Sequence, residues 1–234
     1  MSKLSVLVPL YNEEKTIIEI IEKLLKLTIV KEIIIVDDCS SDNSFNVVSS
    51  MKNDKIKLFQ NPVNMGKTAA INLALKHVTG EVIIIQDADL EYDPEEIPDV
   101  VGPILDGKAD VVFGSRFLVK KAARVLYFYH YVANKFLTLL SNILTNHNMT
   151  DIETCYKAFR APLLKGFELT SKGFGMEIEL TAYVAKKNLR IYEVPISYYG
   201  RTYEEGKKIG WKDGVHAIWY IFYYNLFSPK TRKQ

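Results

Sequence analysis

The sequence contains few of the residues from which zinc sites, disulfides and histidine-dependent sites are built. Its 234 residues include two cysteines, Cys39 and Cys155, and four histidines. The cysteines form no Cys-x-x-Cys pair and the histidines form no His-Glu-x-x-His motif, so neither pattern of zinc ligands is present. Two isolated cysteines favour free thiols in a reducing compartment over a disulfide.

A surplus of charge and a long apolar run are also missing. Thirty Lys and Arg residues face 28 Asp and Glu residues, which gives a formal net charge of +2. This balance argues against nucleic acid as a partner, because binding to phosphate backbones needs a basic surface. A membrane span needs about 20 predominantly apolar residues, and every apolar stretch is interrupted before that length. Met1–Lys3 leads directly into the strand-like run 4–8, so we expect no secretory signal peptide and a cytosolic location.

In the first half of the chain, short β-branched runs alternate with segments that carry apolar residues at helical spacing. Strands are predicted at residues 4–8, 32–36, 56–59, 82–85 and 111–113, and helices at 16–27, 42–51 and 67–77. This alternation predicts an α/β fold with a mainly parallel sheet and helices on both faces. With 48% hydrophobic residues, the chain can bury one core, and we expect a single domain.

Two carboxylates, Asp87 and Asp89, follow the predicted strand 82–85. Ligands of open α/β sheets bind outside the carboxyl ends of the strands, where Asn12, Asp37 and Asp38 are also expected. Hard divalent cations prefer oxygen ligands, and a cation shared with a pyrophosphate would stabilise a leaving nucleoside diphosphate. The pattern indicates a metal-dependent enzyme of nucleotide sugars, although such a pair also fits solvated loop acids or a helix cap.

Two aromatic-rich segments in the second half are predicted to be helical. Residues 125–140 are rich in Tyr, Phe and Leu, and residues 215–227 contain six aromatic side chains that are followed by Lys230, Arg232 and Lys233. Aromatic and basic composition is typical of helices that lie in a membrane interface. Core helices or an oligomer interface would show a similar composition.

Five motifs, in order along the chain, resemble those of family 2 glycosyltransferases, and within them the polyprenyl-phosphate glycosyltransferases. They are Val8–Glu14, Val36–Asp42, Asn64–Lys67, Asp87–Asp89 and Gly114–Arg116. The resemblance covers nearly the whole chain and implies the GT-A fold, with a Rossmann-like, mainly parallel mixed sheet. It implies transfer of a hexose from a GDP- or UDP-sugar to a polyprenyl phosphate at the cytosolic face of a membrane. The protein would bind that membrane peripherally, with a homodimer or a membrane-protein partner as further expectations.

The same resemblance assigns residues to donor binding. Contacts to the nucleotide sugar are implied for Pro9, Tyr11, Glu13, Asp37, Asp38, Lys67, Asp87, Ala88, Asp89, Arg116 and Lys207, and ligation of Mg²⁺ or Mn²⁺ for Asp87, Asp89 and Glu91. A phosphate-binding P-loop before Lys67 is not indicated, because Asn61 stands where that loop requires glycine. Thr68 stands where the family usually has a second glycine, so a solvated lysine at a helix start is the alternative for Lys67. For Asp42, a helix cap is the preferred interpretation.

Catalytic roles are implied for Asp89, Arg116, Asp151 and Arg201. Asp151 or Glu153 would act as the base if the acceptor were a sugar hydroxyl. A lipid monophosphate, whose second pKa is about 6, is already ionised near neutral pH, and Asp151 would then position rather than deprotonate.

Phosphate contacts are also implied further along the chain. Residues 156–160 resemble a strand of the family's sheet, and Arg160 at its end is one candidate. Residues 200–211 resemble a mobile loop that places Arg201, Lys207 and Lys208 over the pyrophosphate and excludes water, and a solvated charge run is the alternative.

These expectations divide the chain into a nucleotide-sugar-binding half, 1–118, an acceptor half with the mobile loop, 119–210, and an amphipathic C-terminal helix with a basic tail, 211–234. The first rival function is a family 2 transferase that uses a sugar hydroxyl as acceptor. A second is a sugar-nucleotide nucleotidyltransferase, which typically has a glycine-rich loop where this chain has Tyr11–Glu14. A third is a non-catalytic scaffold at the membrane.

Overall fold

The structure is a computed structural model that describes residues 2–118, 125, 127–201 and 211–228. Its strands are β1 (Leu4–Leu10), β2 (Val30–Asp37), β3 (Ile56–Gln60), β4 (Val82–Ile85), β5 (Val111–Ser115), β6 (Lys157–Arg160) and β7 (Ile191–Pro195). Its helices are α1 (Ile17–Lys26), α2 (Ser44–Ser49), α3 (Lys67–Leu75), α4 (Ile97–Leu105), α5 (Phe128–Thr145), α6 (Ala161–Leu164), α7 (Met176–Ala185) and α8 (Trp211–Phe222). Every strand and helix predicted in the first half is confirmed.

The seven strands form one sheet in the order β3-β2-β1-β4-β6-β5-β7. All neighbouring pairs are parallel except those of β6, which runs antiparallel to both β4 and β5. The mixed, mainly parallel sheet agrees with the predicted fold class. The predicted strand after Cys155 is β6, whereas β7, which pairs with β5, was not predicted.

Burial along the central strands shows that both faces of the sheet are covered. Apart from Lys31, every residue of β2 is buried, and all four residues of β4 are buried. Successive side chains of a strand point to opposite faces, so continuous burial requires packing on both sides. Helix α3 packs against β1 and β2, and α4 packs against β4, β5 and β6.

The strand register brings the carboxyl ends of β1, β2 and β4 to one edge of the sheet, called here the carboxyl edge. Leu10 pairs with Asp37, and Leu7 pairs with Ile85. The loops after β1 and β2 are joined there, because Asn12 Oδ1 accepts a hydrogen bond from Ser41 N at 2.8 Å. Asn12 has a φ of 54°, a left-handed conformation that asparagine tolerates better than most residues.

The reversed direction of β6 places Arg160 at the opposite edge. Arg160 pairs with Val82, the first residue of β4, and its guanidinium binds Asp110. The expectation that Arg160 contacts phosphate is therefore wrong. Sequence patterns identify a strand but not its direction, and an antiparallel strand carries its last residue away from the carboxyl edge.

Helices α5 and α8 pack against each other and leave apolar side chains exposed. The exposed stripe of α5 consists of Phe128, Val132, Phe136, Leu139 and Ile143, and that of α8 and the following π-helical turn Tyr223–Phe227 consists of Val215, Trp219, Phe222, Tyr223 and Leu226. Spacings of three and four residues keep each stripe on one helix face. None of the helices in the described part of the chain combines the length and the apolar character needed to cross a bilayer.

Candidate active site

Lys67 connects two acidic residues at the carboxyl edge. It is the first residue of α3, and its Nζ lies 2.8 Å from Asp87 Oδ1 and 3.0 Å from Glu177 Oε1. Burial alone would lower the pKa of Lys67, but the charges of Asp87, Cys155 and Glu177 raise it well above its ordinary value. Lys67 is therefore a fixed cation of the site. The solvated lysine weighed as an alternative is not what the structure shows.

Asp89 lies close enough to Asp87 and Glu91 for their charges to act on it, and the charge of Arg201 opposes them. Burial, together with the charges of Asp87 and Glu91, raises the pKa of Asp89 to about 7. Asp89 Oδ1 accepts a hydrogen bond from Glu91 N at 3.0 Å. Among the residues described, no three acidic, histidine or cysteine side chains converge into a ready metal-binding cluster. The crowding of carboxylates nevertheless suits a divalent cation, which would relieve the repulsion that raises the pKa of Asp89.

The first residues of the predicted mobile loop are anchored to this acidic group. Arg201 binds both carboxylate oxygens of Glu13, at 3.0 and 2.8 Å, and its backbone N–H donates to Glu91 Oε1 at 2.8 Å. Tyr198 donates its hydroxyl to Glu91 Oε2 at 3.0 Å. Glu91 thus accepts hydrogen bonds from the start of the loop and from the segment just before it. Lys207 and Lys208 lie outside the described residues.

Two buried aspartates shape the loops on the nucleotide side. Asp37 accepts hydrogen bonds from Ser40 and from Gln60 Nε2. Asp38 accepts from Asn61 Nδ2 at 2.7 Å and from the backbone N–H groups of Met65 and Gly66, which precede α3. Both carboxylates therefore hold the ends of loops, in addition to the nucleotide contact that the resemblance implies.

Arg116 and Asp151 form a buried ion pair. Nε and Nη2 of Arg116 donate to the two oxygens of Asp151 at 2.7 and 2.8 Å, and the side chains are 8% and 0% exposed. Burial alone would raise the pKa of Asp151, but the charge and hydrogen bonds of Arg116 lower it. A carboxylate held in this way fixes the plane of the guanidinium, which is a positioning role.

Glu153 and Lys157 follow Asp151 in the chain, and the charges of Lys157, Arg116 and Asp151 act on Glu153. Burial and the charge of Glu177 raise the pKa of Glu153 to about 8. Nζ of the fully buried Lys157 donates to the carbonyl oxygens of Ile152 and Thr154, and burial lowers its pKa. Lys157 thereby fixes the turn that carries Asp151 and Glu153.

The remaining predicted residues lie at the same edge. Pro9 is in β1, exposed Tyr11 follows that strand, and the carbonyl of buried Ala88 accepts a hydrogen bond from Thr16 at 2.9 Å. Asp42 accepts from Ser44 N at the start of α2, in agreement with the preferred helix-cap interpretation. Glu177 was not predicted. Its only signal in the sequence is its place as one of two acids, Glu177 and Glu179, in the first turn of a mostly apolar helix.

The sheet order and the paired carboxylates at its carboxyl edge are those of the GT-A fold of glycosyltransferases. The chain belongs to glycosyl transferase family 2, whose family model matches residues 5–167. It is therefore a member of a family of sugar-transferring enzymes.

Two individual proteins are also similar to this chain, one in sequence and one in fold. The chain is 26% identical over 213 residues to a dolichol-phosphate mannosyltransferase of Pyrococcus furiosus, across 89% of this chain and 60% of that protein. It thus spans about three fifths of the length of this curated relative. Glucosyl-3-phosphoglycerate synthase of Mycobacterium tuberculosis shares the fold. Its crystal structure with Mn²⁺, UDP and phosphoglyceric acid matches with a TM-score of 0.73 and 22% identity, over 96% of this chain and 79% of that one. Its complex with Mg²⁺ and UDP matches with a TM-score of 0.72 and 22% identity, over the same shares of the two chains.

Proposed function

We propose that this protein is an inverting glycosyltransferase that moves a hexose from GDP-mannose or UDP-glucose to a polyprenyl phosphate at the cytosolic face of a membrane. The Pyrococcus furiosus relative, a dolichol-phosphate mannosyltransferase, supports the acceptor class. The observation that carries the proposal is the buried pair of Arg116 and Asp151, which fixes a cation that can bind phosphate and engages one of the two carboxylates that could serve a hydroxyl acceptor as its base.

The donor would bind at Asp87, Asp89 and Glu91, with its nucleotide toward the loops held by Asp37 and Asp38. A divalent cation bound to these acids would screen the charge of the leaving diphosphate. The Mycobacterium tuberculosis synthase binds UDP with Mn²⁺ or Mg²⁺, which supports a metal of this kind here.

Arg201 would move during donor binding. Its guanidinium binds Glu13, and its backbone binds Glu91. A diphosphate offers the same bidentate geometry as a carboxylate, so Arg201 could exchange Glu13 for the donor as the loop closes. A shift of the Arg201 backbone with this exchange would also free Glu91 Oε1 for the metal.

The acceptor would bind beside Arg116. A polyprenyl phosphate carries ionised oxygens near neutral pH, since its second pKa is about 6, so its attack on the anomeric carbon needs little help from a base. Asp151 then holds Arg116 in place. One in-line displacement breaks the bond between the anomeric carbon and the diphosphate and inverts the configuration.

The apolar stripes of α5 and α8 are proposed to lie on the membrane surface. Aromatic and aliphatic side chains such as Phe136, Leu139 and Trp219 are exposed on two helices that pack together. A bilayer interface buries such side chains, and a polyprenyl tail would dissolve in the same layer. The predicted basic tail, with Lys230, Arg232 and Lys233, would add attraction to anionic lipids.

A second candidate function, transfer to a sugar hydroxyl, is favoured by Glu153. Its Oε1 is buried without a hydrogen-bond partner among the described residues, and its pKa of about 8 lies near the range of a general base. Glu153→Gln would then slow transfer about 100-fold or more. With a phosphate acceptor the same variant should keep most of its rate.

The first experiment supplies the protein with Mn²⁺, radiolabelled UDP-glucose or GDP-mannose, and a short-chain polyprenyl phosphate. Label should move into the organic phase, and Asp89→Asn should abolish this transfer. Asp99→Asn, a change at an exposed acid of α4, is the matched control and should retain full activity. Donor binding without lipid labelling, together with transfer to soluble sugars, would favour the hydroxyl acceptor instead.

The membrane contact is tested separately by sedimentation with vesicles that contain phosphatidylglycerol. Replacing Phe136, Leu139 and Trp219 together by serine should release the protein from vesicles. Tyr192→Ser, at an exposed aromatic residue of β7, should not. Equal binding of both variants would contradict the assigned surface.

A further inference from the structure

Glu177 takes no part in the chemistry proposed so far, although it lies beside it. It is the second residue of α7, and 5% of its surface is exposed. Its Oε1 accepts a hydrogen bond from Lys67 at 3.0 Å. Its Oε2 is buried and has no hydrogen-bond partner in the part of the chain that the structure describes.

Other polar atoms nearby are in the same state. Thr68 Oγ1, next to Lys67 in the chain, is buried without a described partner, and so is Oε1 of Glu153, whose charge interacts with that of Glu177. Buried polar atoms are nearly always paired in folded proteins, because an unpaired one forfeits its hydration. The unpaired oxygen of Glu177 beside the Lys67 ion pair, with that of Glu153, whose charge acts on Glu177, indicates that a ligand completes them.

The chemistry of these atoms defines the ligand. An ionised carboxylate only accepts hydrogen bonds, so the group that meets Glu177 Oε2 must donate. Two of the three N–H donors of Lys67 serve its ion pairs, and the third makes only a weak contact with Cys155 Sγ at 3.8 Å, which a ligand oxygen can replace. A group that both donates and accepts is a hydroxyl. The negative charges of Asp87 and Glu177 disfavour an anionic group here.

The position relative to Asp87 identifies which hydroxyls these are. Lys67 joins Glu177 to Asp87, and the side chains of Lys67 and Asp87 are 25% and 22% exposed, so both can be reached from the cleft. The hexose of a nucleotide sugar is bonded directly to the diphosphate, which is assigned to Asp87 and Asp89. Glu177 and Lys67 can both bind hydroxyls, and Lys67 also binds Asp87, so the two residues are placed to contact the hexose.

We propose that Glu177 and Lys67 form the hexose subsite of the donor, with Glu177 Oε2 accepting hydrogen bonds from the ring hydroxyls of a neutral sugar. This inference rests on the proposed function and deepens it, because it assigns recognition of the sugar to α7 rather than to the metal-binding acids. Glu177 is a specificity residue that contacts the substrate, and the nucleoside diphosphate binds without it.

The test compares each nucleotide sugar with its own diphosphate. Isothermal titration calorimetry in Mn²⁺ gives the Kd of UDP against UDP-glucose and of GDP against GDP-mannose, with no acceptor present. Wild type should bind one of these sugars more tightly than its diphosphate. Glu177→Gln should weaken binding of that sugar nucleotide about tenfold and leave its diphosphate within about twofold, because a charged hydrogen bond to the hexose is lost.

Glu179→Gln is the matched control. Glu179 lies in the same helix and is equally buried, but its oxygens accept hydrogen bonds from Thr170 and Ser171. Its replacement should lower stability and leave the ratio of the two Kd values unchanged. If Glu177→Gln does not fold, Glu177→Asp keeps the charge beside Lys67 but shortens its reach, and it should reduce the ratio about fivefold or more.

Three results would overturn the inference: equal weakening of diphosphate and sugar nucleotide in the Glu177 variant, no weakening of either, or wild type that does not distinguish the two ligands. The acceptor proposal fails in a different way. If sugar binding depends on Glu177 but no label reaches polyprenyl phosphate, the hexose subsite stands and the acceptor assignment falls.

Discussion

Replacing Asp151 by asparagine separates a positioning role from a catalytic base. The substitution keeps the shape of the side chain but leaves the guanidinium of Arg116, 8% exposed, without its counter-charge. Removing one partner of a buried ion pair costs about 3–5 kcal/mol. That is a large share of the roughly 5–15 kcal/mol that stabilises a typical domain. For a chain of this length, it corresponds to a fall in Tm of about 6–20 °C.

Urea denaturation followed by circular dichroism measures this loss directly. Asp110→Asn is the control, because Asp110 also binds arginines, but Arg190 and Arg160 are 52% and 41% exposed. Exposed pairs contribute about 1 kcal/mol or less, so the control should remain near wild type. A loss below about 1 kcal/mol in Asp151→Asn, together with abolished transfer, would refute the positioning role and restore Asp151 as a base.

Three further predictions concern other parts of the chain. Burial raises the pKa of Glu32, but hydrogen bonds from Lys57, Ser5 and Thr79 outweigh this and lower it from 4.5 to about 2. Glu32 should therefore contribute about 3 kcal/mol to the free energy of unfolding. This contribution is complete above pH 4.5 and is lost as the pH falls through 2. The free energy of urea unfolding of Glu32→Gln should therefore depend less on pH in that window than that of wild type, and equal slopes would contradict this. A Cβ at Gly80 would lie 2.6 Å from the carbonyl oxygen of Lys3, whereas one at Gly102, in helix α4, would meet nothing within 4 Å. In thermal melts, Gly80→Ala should therefore lose about 1–3 kcal/mol of stability, and Gly102→Ala should be neutral or stabilising. Arg201→Lys should lower kcat about tenfold or more without lowering Tm, since lysine cannot bind a diphosphate in two-point geometry, and an unchanged kcat would exclude Arg201 from the reaction.

Much of the first half could be predicted from the sequence, because local patterns determine it. β-branched runs such as Val82–Ile85 form strands wherever they are buried, and the carboxyl ends of parallel strands meet at one edge. Asp37, Asp38, Asp87 and Asp89 therefore lie where the alternation of strands and helices predicts. Each of these aspartates stands at the end of a strand, or just after one, that the pattern identifies.

The pairing of residues far apart in the chain could not be predicted. Arg116 and Asp151 were each named, but the ion pair joins positions 35 residues apart, and that of Lys67 with Glu177 spans 110 residues. No periodicity links such positions. The direction of β6 was missed for the same reason, since it depends on how the segment before it returns to the sheet, and that misplaced Arg160.

The buried charges at the carboxyl edge are unevenly matched, and the mismatch indicates what the site is built to receive. Lys67, Arg116 and Arg201 each bind a carboxylate in the described structure, and their partners are Asp87 with Glu177, Asp151 and Glu13, respectively. No ion pair within the described ranges involves Asp89 or Glu153, and these two acids have pKa values raised to about 7 and 8. A carboxylate with a raised pKa is destabilised in its charged form, so a cation or a hydrogen-bond donor placed beside it stabilises that form most. Asp89 is the acid that a divalent cation would relieve. Glu153 interacts electrostatically with Glu177, the proposed ligand of the hexose hydroxyls, so metal and sugar would satisfy different acids of one site.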